Sequence, residues 1–123
     1  DRQDLYFSGQ ITGVEGYVES TACGLLTSWC ILAHLFNWAI PRPPTTTAMG
    51  ALRRHLRGEG ILSDYSPSNL NWSFFDRLPK RRGEKKRERR LRMAERAEED
   101  FEKWWSSWLP RSDRIQVPEC AEI

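Results

Sequence analysis

A chain of 123 residues has room for one small domain or for a piece of a larger one, and 39% hydrophobic with 29% charged residues suits a soluble globular protein. The net charge of +2 excludes little by itself, but residues 80–92 hold nine bases against two acids, a local net of +7, and residues 93–103 hold five acids against two bases, a local net of −3. Cys23, Cys30 and Cys120 give neither an even disulfide set nor a CxxC pair; with only His34 and His55 beside them no metal-ligand spacing exists, and no secretory signal opens the chain.

Residues 5–8, Leu-Tyr-Phe-Ser, form a short apolar run that predicts a buried strand. The chain starts at Asp1, four residues before this run, and not at Met, which reads as an internal start. Gly9, Gly13 and Gly16 then punctuate a loop, and from Ser20 to about Trp38 the pattern is helical and apolar until Pro41, Pro43 and Pro44 stop it. Strand, glycine loop and helix together are the architecture of a nucleotide-cofactor crevice. Residues 22–40 are 19 positions without Asp, Glu, Lys or Arg, long enough for a membrane span. Thr27, Ser28, His34, Asn37 and the abutting glycine loop favour a buried helix instead, covered by a sheet and a neighbouring domain. Cys23 and Cys30 then read as buried reduced thiols.

Thr46 or Thr47 is a suitable N-cap for a second helix from Ala48 to about Arg57, ended by Gly58 and Gly60. Residues 61–78 mix Ser, Asn, Pro and aromatics, which predicts an extended connector with one short strand. A long helix follows from about Glu84. Leu91, Ala94, Ala97, Phe101, Trp104 or Trp105, and Trp108 make one apolar stripe along it, and Pro110 ends it before a loose tail. The organisation expected is therefore 1–57, the end of a cofactor domain; 58–83, an irregular connector; 84–110, an amphipathic helix; and 111–123, a tail.

Two constellations carry chemistry. Glycines let the backbone turn tightly and approach a ligand, and the following helix start offers free N–H groups and the positive dipole end to a pyrophosphate or flavin. The Gly-x-x-x-Gly-x-x-Gly spacing alone serves a structural turn equally well. The second is the basic run Lys80, Arg81, Arg82, Lys85, Lys86, Arg87, Arg89 and Arg90, which displaces counterions from a phosphate backbone and predicts salt-sensitive RNA binding. Its bland counterpart is a solvated helix start laced with Glu84 and Glu88. Cations at a helix N-terminus oppose the dipole, a conflict that points to a functional reason. For Phe101, Trp104, Trp105 and Trp108 the helical spacing favours core packing over stacking on RNA bases. His34 and His55 read as ordinary structural or surface residues.

The string from Gly9 to Ser20, Gly-Gln-Ile-Thr-Gly-Val-Glu-Gly-Tyr-Val-Glu-Ser, resembles the late flavin-binding segment of the TrmFO family, the methylenetetrahydrofolate–tRNA-(uracil-5-)-methyltransferases. A cousin family of tRNA uridine carboxymethylaminomethyl-modifying flavoproteins carries a related loop that fits less well. The likeness continues in Pro44-Thr-Thr-Thr-Ala-Met-Gly-Ala-Leu52, Asn69-Leu-Asn-Trp72, Leu78-Pro-Lys-Arg81 and Ala94-Glu-Arg-Ala-Glu-Glu-Asp100, so that it spans about 4–109. It implies the C-terminal part of an α/β, Rossmann-like FAD-binding domain followed by a helical extension. The parent enzyme would transfer a one-carbon unit from 5,10-methylenetetrahydrofolate to C5 of a T-loop uridine in tRNA, with FAD carrying and reducing it and NAD(P)H as electron source, in the cytoplasm. Gly9, Gln10, Ile11, Thr12, Gly13, Glu15, Gly16 and Tyr17 would lie against FAD, with Gln10 as a neutral hydrogen-bonding group at the ribityl chain and Tyr17 either near the flavin or packed. The remainder of the FAD domain and tRNA are the implied partners. The GxGxxG fingerprint is absent from this sequence and none of the three cysteines matches the family's reactive ones, so no catalytic residue is assigned and the chain alone is expected to be inactive. Rival readings are a non-catalytic RNA-binding module, a related flavoprotein acting on another tRNA or rRNA uridine, and a small membrane protein anchored by 22–40.

Overall fold

The computed structural model describes residues 2, 4–59 and 67–108. The expectations for Gly60 and the first part of the connector, for Cys120, for the stop at Pro110 and for the tail lie outside the described residues. A short 3-10 turn, Gly9–Thr12, is followed by three α-helices: α1 (Tyr17–Leu35), α2 (Ala48–Leu56) and α3 (Lys86–Trp108).

The described residues contain no strand, and the expected strand at 5–8 is corrected on this point. Ser8 is extended, at φ −151° and ψ 159°, but an extended backbone becomes a strand only by ladder pairing, and residues 5–8 have none among the described residues. The strand expected within the connector is likewise reduced, over its described part, to one isolated parallel bridge between Val14 and Ser68. Glu15 N donates to Ser68 O at 3.2 Å and Ser68 N to Gly13 O at 3.2 Å. The connector thereby clamps the glycine loop.

α1 starts three residues earlier than the sequence pattern suggests, because Gly16 at φ 91° turns the chain directly into the helix, and Ser20 N already donates to Gly16 O. It also ends earlier, at Leu35: Asn37 adopts the left-handed conformation at φ 53°, and Trp38 N closes back on Ala33 O at 2.8 Å. α2 has the expected start. Thr47 is its N-cap, and its Oγ1 accepts from Gly50 N at 3.1 Å. α3 begins at Lys86, where Glu88 reaches back to accept from Lys85 N at 2.9 Å, half of a capping box.

Cys23, Leu26, Cys30 and Ala33 follow one another at helical spacing on the inner face of α1. There Val14, Cys23, Leu26 and Leu52 form the buried cluster, with Ala22, Trp29, Met49, Leu56 and Leu70 packed on it. Burial of Leu52 alone is worth about 2–3 kcal/mol. The opposite stripe of α1 stays in solvent: Val18, Leu25 and Leu32, seven residues apart, are 79%, 46% and 39% exposed. Among the described residues no helix is long and apolar enough to cross a membrane, so the membrane-anchor reading of 22–40 finds no support in the helix that forms there.

α3 is joined to the rest by aromatics. The Trp29 ring lies 5.9, 5.0 and 5.7 Å from those of Trp104, Trp105 and Trp108, and Trp108 Nε1 donates to Ala39 O at 2.8 Å. Core packing is therefore what the tryptophan spacing produces. Polar ties reinforce the seam: Thr46 Oγ1 donates to Asp100 at 2.6 Å, Arg54 pairs with Asp76 at 2.7 Å, and Arg96 donates to Asp76 O. The Thr45 hydroxyl, followed by the Arg54 guanidinium, holds the Asp76 carboxyl below its ordinary range against the opposing effect of burial. His55 is buried and stacks on Phe74 at 4.5 Å, and burial pulls its imidazole down from the usual value, a structural role as the sequence suggests.

Candidate functional site

The glycine loop is built to a definite shape. Gly9, Gly13 and Gly16 all have positive φ, at 76°, 92° and 91°, where only glycine is free of strain. Thr12 Oγ1 donates to Gly9 O at 2.7 Å and Gly13 N to Gln10 O at 2.9 Å, closing the 3-10 turn. A Cβ on Gly16 would stand 2.5 Å from Glu19 Oε2 and 2.7 Å from Asn69 Nδ2, so these two side-chain ends would have to shift to admit it. Glu19 accepts from Leu70 N at 3.0 Å and Asn69 Nδ2 donates to Glu15 O at 3.3 Å. Asn69 and Leu70 thus brace the loop from behind, a role that the sequence did not assign to them.

The expected cofactor residues fall on two sides. Gly13 is buried, and Gly9, Thr12 and Gly16 are half-buried supports. Gln10, Ile11, Glu15 and Tyr17 point to solvent, Ile11 being 75% and Tyr17 95% exposed. No side chain caps the start of α1. The loop therefore presents an outward rim, open backbone N–H groups and a helix N-terminus on one side. Behind it an apolar hollow of about 250 Å³ is lined by Tyr6, Phe7, Leu26, Cys23 and Cys30 among others. Burial pushes the Cys23 thiol up, but the hydroxyls of Ser8, Thr12 and Thr27 and the Gly9 backbone outweigh it and leave the thiol below its ordinary value, while burial raises Cys30. Both are free thiols, and no metal-binding group of His, Cys, Asp and Glu exists among the described residues.

The basic run divides in the same way. Lys80, Arg81, Arg82, Lys85, Lys86 and Arg87 are exposed, whereas Arg89 and Arg90 are half-buried walls of an open groove of about 430 Å³. Lys86, Arg89, Arg90 and Met93 share a face at helical spacing, and the facing wall is Asn71, Trp72, Ser73 and Arg77. Trp72 and Arg77 were missed by the sequence reading; the signal available was an aromatic and an arginine flanking a tight Asn-led turn. Ser73 N and Oγ both donate to Asn71 Oδ1, at 3.0 and 2.7 Å, which sets that turn. Arg92, also in the basic run, is structural. Its Nη1 lies 3.1 Å from Glu84 Oε1, with the Glu84 side chain only 5% exposed, and Glu84 Oε2 also accepts from Arg81 N at 3.1 Å. Glu84→Gln is expected to lower the unfolding free energy by about 2 kcal/mol, since it leaves a half-buried guanidinium without its counter-charge. Urea unfolding followed by helix ellipticity measures this; an unchanged midpoint would contradict the role given to the pair.

This loop and the first part of the helix it leads into lie within residues 1–38, which match the family model described as "Glucose inhibited division protein A". More particularly, the chain matches the TrmFO family, and does so over most of its length. It is 49% identical over 100 residues to the methylenetetrahydrofolate–tRNA-(uracil-5-)-methyltransferase TrmFO of Syntrophotalea carbinolica, which covers 81% of this chain and 21% of that protein. The TrmFO of Myxococcus xanthus is 46% identical over 110 residues, 88% of this chain and 23% of its own length, and that of an Anaeromyxobacter species 45% over 121 residues, 96% and 26%. The chain thus spans only about a quarter of the curated relatives it matches.

Proposed function

We propose that this chain is the C-terminal part of a folate- and FAD-dependent tRNA methyltransferase that modifies C5 of a T-loop uridine. In this reading it supplies one wall of the FAD site and a basic face for tRNA. What carries the proposal is the glycine loop. Three glycines at positive φ, braced from behind by Asn69 and Leu70, turn Ile11, Tyr17 and an uncapped helix start outward, and the loop lies in the stretch that matches both the family model and the TrmFO relatives. The relatives' names supply methylenetetrahydrofolate and the tRNA uracil as substrates.

The chain's own residues set what the site does. Backbone N–H groups at the start of α1 face an electron-rich or anionic group, as a flavin ring or pyrophosphate provides. Gln10, exposed on the rim, bonds a polyol chain without adding charge. When bound, FAD supplies the carrying and reduction of the one-carbon unit, with NAD(P)H as electron source. The stripe Val18, Leu25 and Leu32 and the exposed Leu5 and Phe7 are then covered by the remainder of the FAD domain, which also provides the strand partners that residues 5–8 lack here. The chain by itself holds FAD weakly or not at all and has no catalytic activity.

The reading is tested by putting this chain in place of the matching 100 residues of the Syntrophotalea carbinolica protein and measuring retained flavin by its visible absorbance, with methyl transfer to unmodified tRNA. The chimera is expected to hold flavin and methylate. Gly16→Val in the same chimera is expected to weaken FAD by about tenfold or more, because a branched side chain cannot hold the left-handed turn. A Gly16→Val chimera that keeps its flavin unchanged would refute the placement of the loop.

A further inference from the structure

The groove between the connector and α3 has a feature that a merely solvated basic helix lacks. The Arg90 guanidinium lies over the Trp72 ring, 5.4 Å from its centroid, and Phe75 packs against the same ring at 5.5 Å. A guanidinium seated on an aromatic face loses less side-chain freedom on binding and keeps its N–H edge available. Arg77, Lys86 and Arg89 line the same groove, which holds no Asp or Glu among its lining residues. Among the described residues none of these four cations enters an ion pair, whereas Arg54, Arg57, Arg92 and Lys103 each do. Asn71 and Ser73 add neutral polar groups to the wall.

We infer that this groove is a phosphodiester-binding site for an RNA strand, in which Arg89, Lys86 and Arg77 take the phosphate together with Arg90, and Trp72 is a positioning residue that holds Arg90 in place. Like charges crowded without counter-ions repel one another, so the arrangement is relieved when a polyanion enters it, and release of condensed counterions from RNA drives the binding. Planar guanidinium groups suit paired phosphate oxygens better than ammonium groups do, and three of the four cations are arginines. The outer residues Lys80, Arg81 and Arg82 then steer RNA towards the groove without forming its binding contacts.

This deepens the RNA-facing part of the reading above and rests on it. The test is fluorescence anisotropy of the 123-residue chain with a labelled tRNA T-arm hairpin across a salt series. Arg89→Gln, Arg90→Gln and the exposed Lys86→Gln are each expected to weaken binding about five- to tenfold at about 100 mM salt and to reduce the slope of log K against log salt by about 1. Arg81→Gln and Arg82→Gln are expected to change affinity less than twofold. Trp72→Leu is expected to reproduce the Arg90→Gln loss and Trp72→Phe to restore most of it, a pattern that a general loss of folding would not give. Wild-type chain that fails to bind the hairpin would overturn the RNA-facing reading itself. Binding that persists unchanged in the groove variants but falls in Arg81→Gln and Arg82→Gln overturns the groove while leaving that reading intact. Polyglutamate that competes as well as the hairpin overturns it in favour of an acidic protein surface.

Discussion

Trp29→Ala is expected to lower the unfolding free energy by about 3 kcal/mol and to release α3 from the rest of the chain. Trp29 stands on α1 and is the hub of the aromatic seam, within 6 Å of three tryptophans of α3 by ring centroid. Truncation removes the transfer free energy of a large ring and leaves a hollow that the remaining rings cannot fill without leaving their rotamers. The side chain is half-buried, which keeps the expectation at the lower end of what aromatic truncations cost. Leu25→Ala on the exposed stripe of the same helix serves as the control and is expected to cost no more than about 0.5 kcal/mol. Thermal unfolding read by near-ultraviolet ellipticity distinguishes the two. Equal midpoints for the two variants would mean that the seam does not hold α3.

Gly50→Ala is expected to cost about 3 kcal/mol or to prevent α2 from docking at all. Elsewhere in an exposed helix this change would stabilise, because alanine has the higher helix propensity. Here a Cβ would stand 1.9 Å from Pro44 O, 2.4 Å from Pro44 C and 2.5 Å from Pro43 O. Those are backbone atoms of a proline-stiffened connector, and Thr47 N and Oγ1 both donate to Pro44 O, so the connector cannot step aside cheaply. The comparison with Met49→Ala, which only trims a partly buried neighbour, separates a clash from a general sensitivity of the helix. Urea midpoints measure it, and a Gly50→Ala chain as stable as the wild type would contradict the role given to this close approach.

The same glycine illustrates what a sequence conceals. Inside a good helix former it looks like a mild defect, and only the approach of another segment shows why no larger residue fits. The groove is similar: the basic run is visible as a string of letters, but its division into an exposed part, an Arg92 held by Glu84, and a set of cations gathered around Trp72 depends on where the connector folds back. The expected strand at 5–8 marks the opposite error. Its apolar pattern is β-like and Ser8 is extended, yet strand identity belongs to a pair of segments and not to one.

By itself, the sequence determined the three helices, a threonine cap at 46 or 47, the tryptophan stripe and the family likeness of the glycine loop. These depend on periodicity, local capping and short strings of residues, which act within a few positions along the chain. Only the tertiary structure decided that Asn69 and Leu70 brace that loop, that Gly50 admits a crossing backbone, and that Arg77 and Trp72 join the basic face. Those arrangements come from contacts between residues some five to fifty positions apart, and nothing in the local pattern of either partner encodes them.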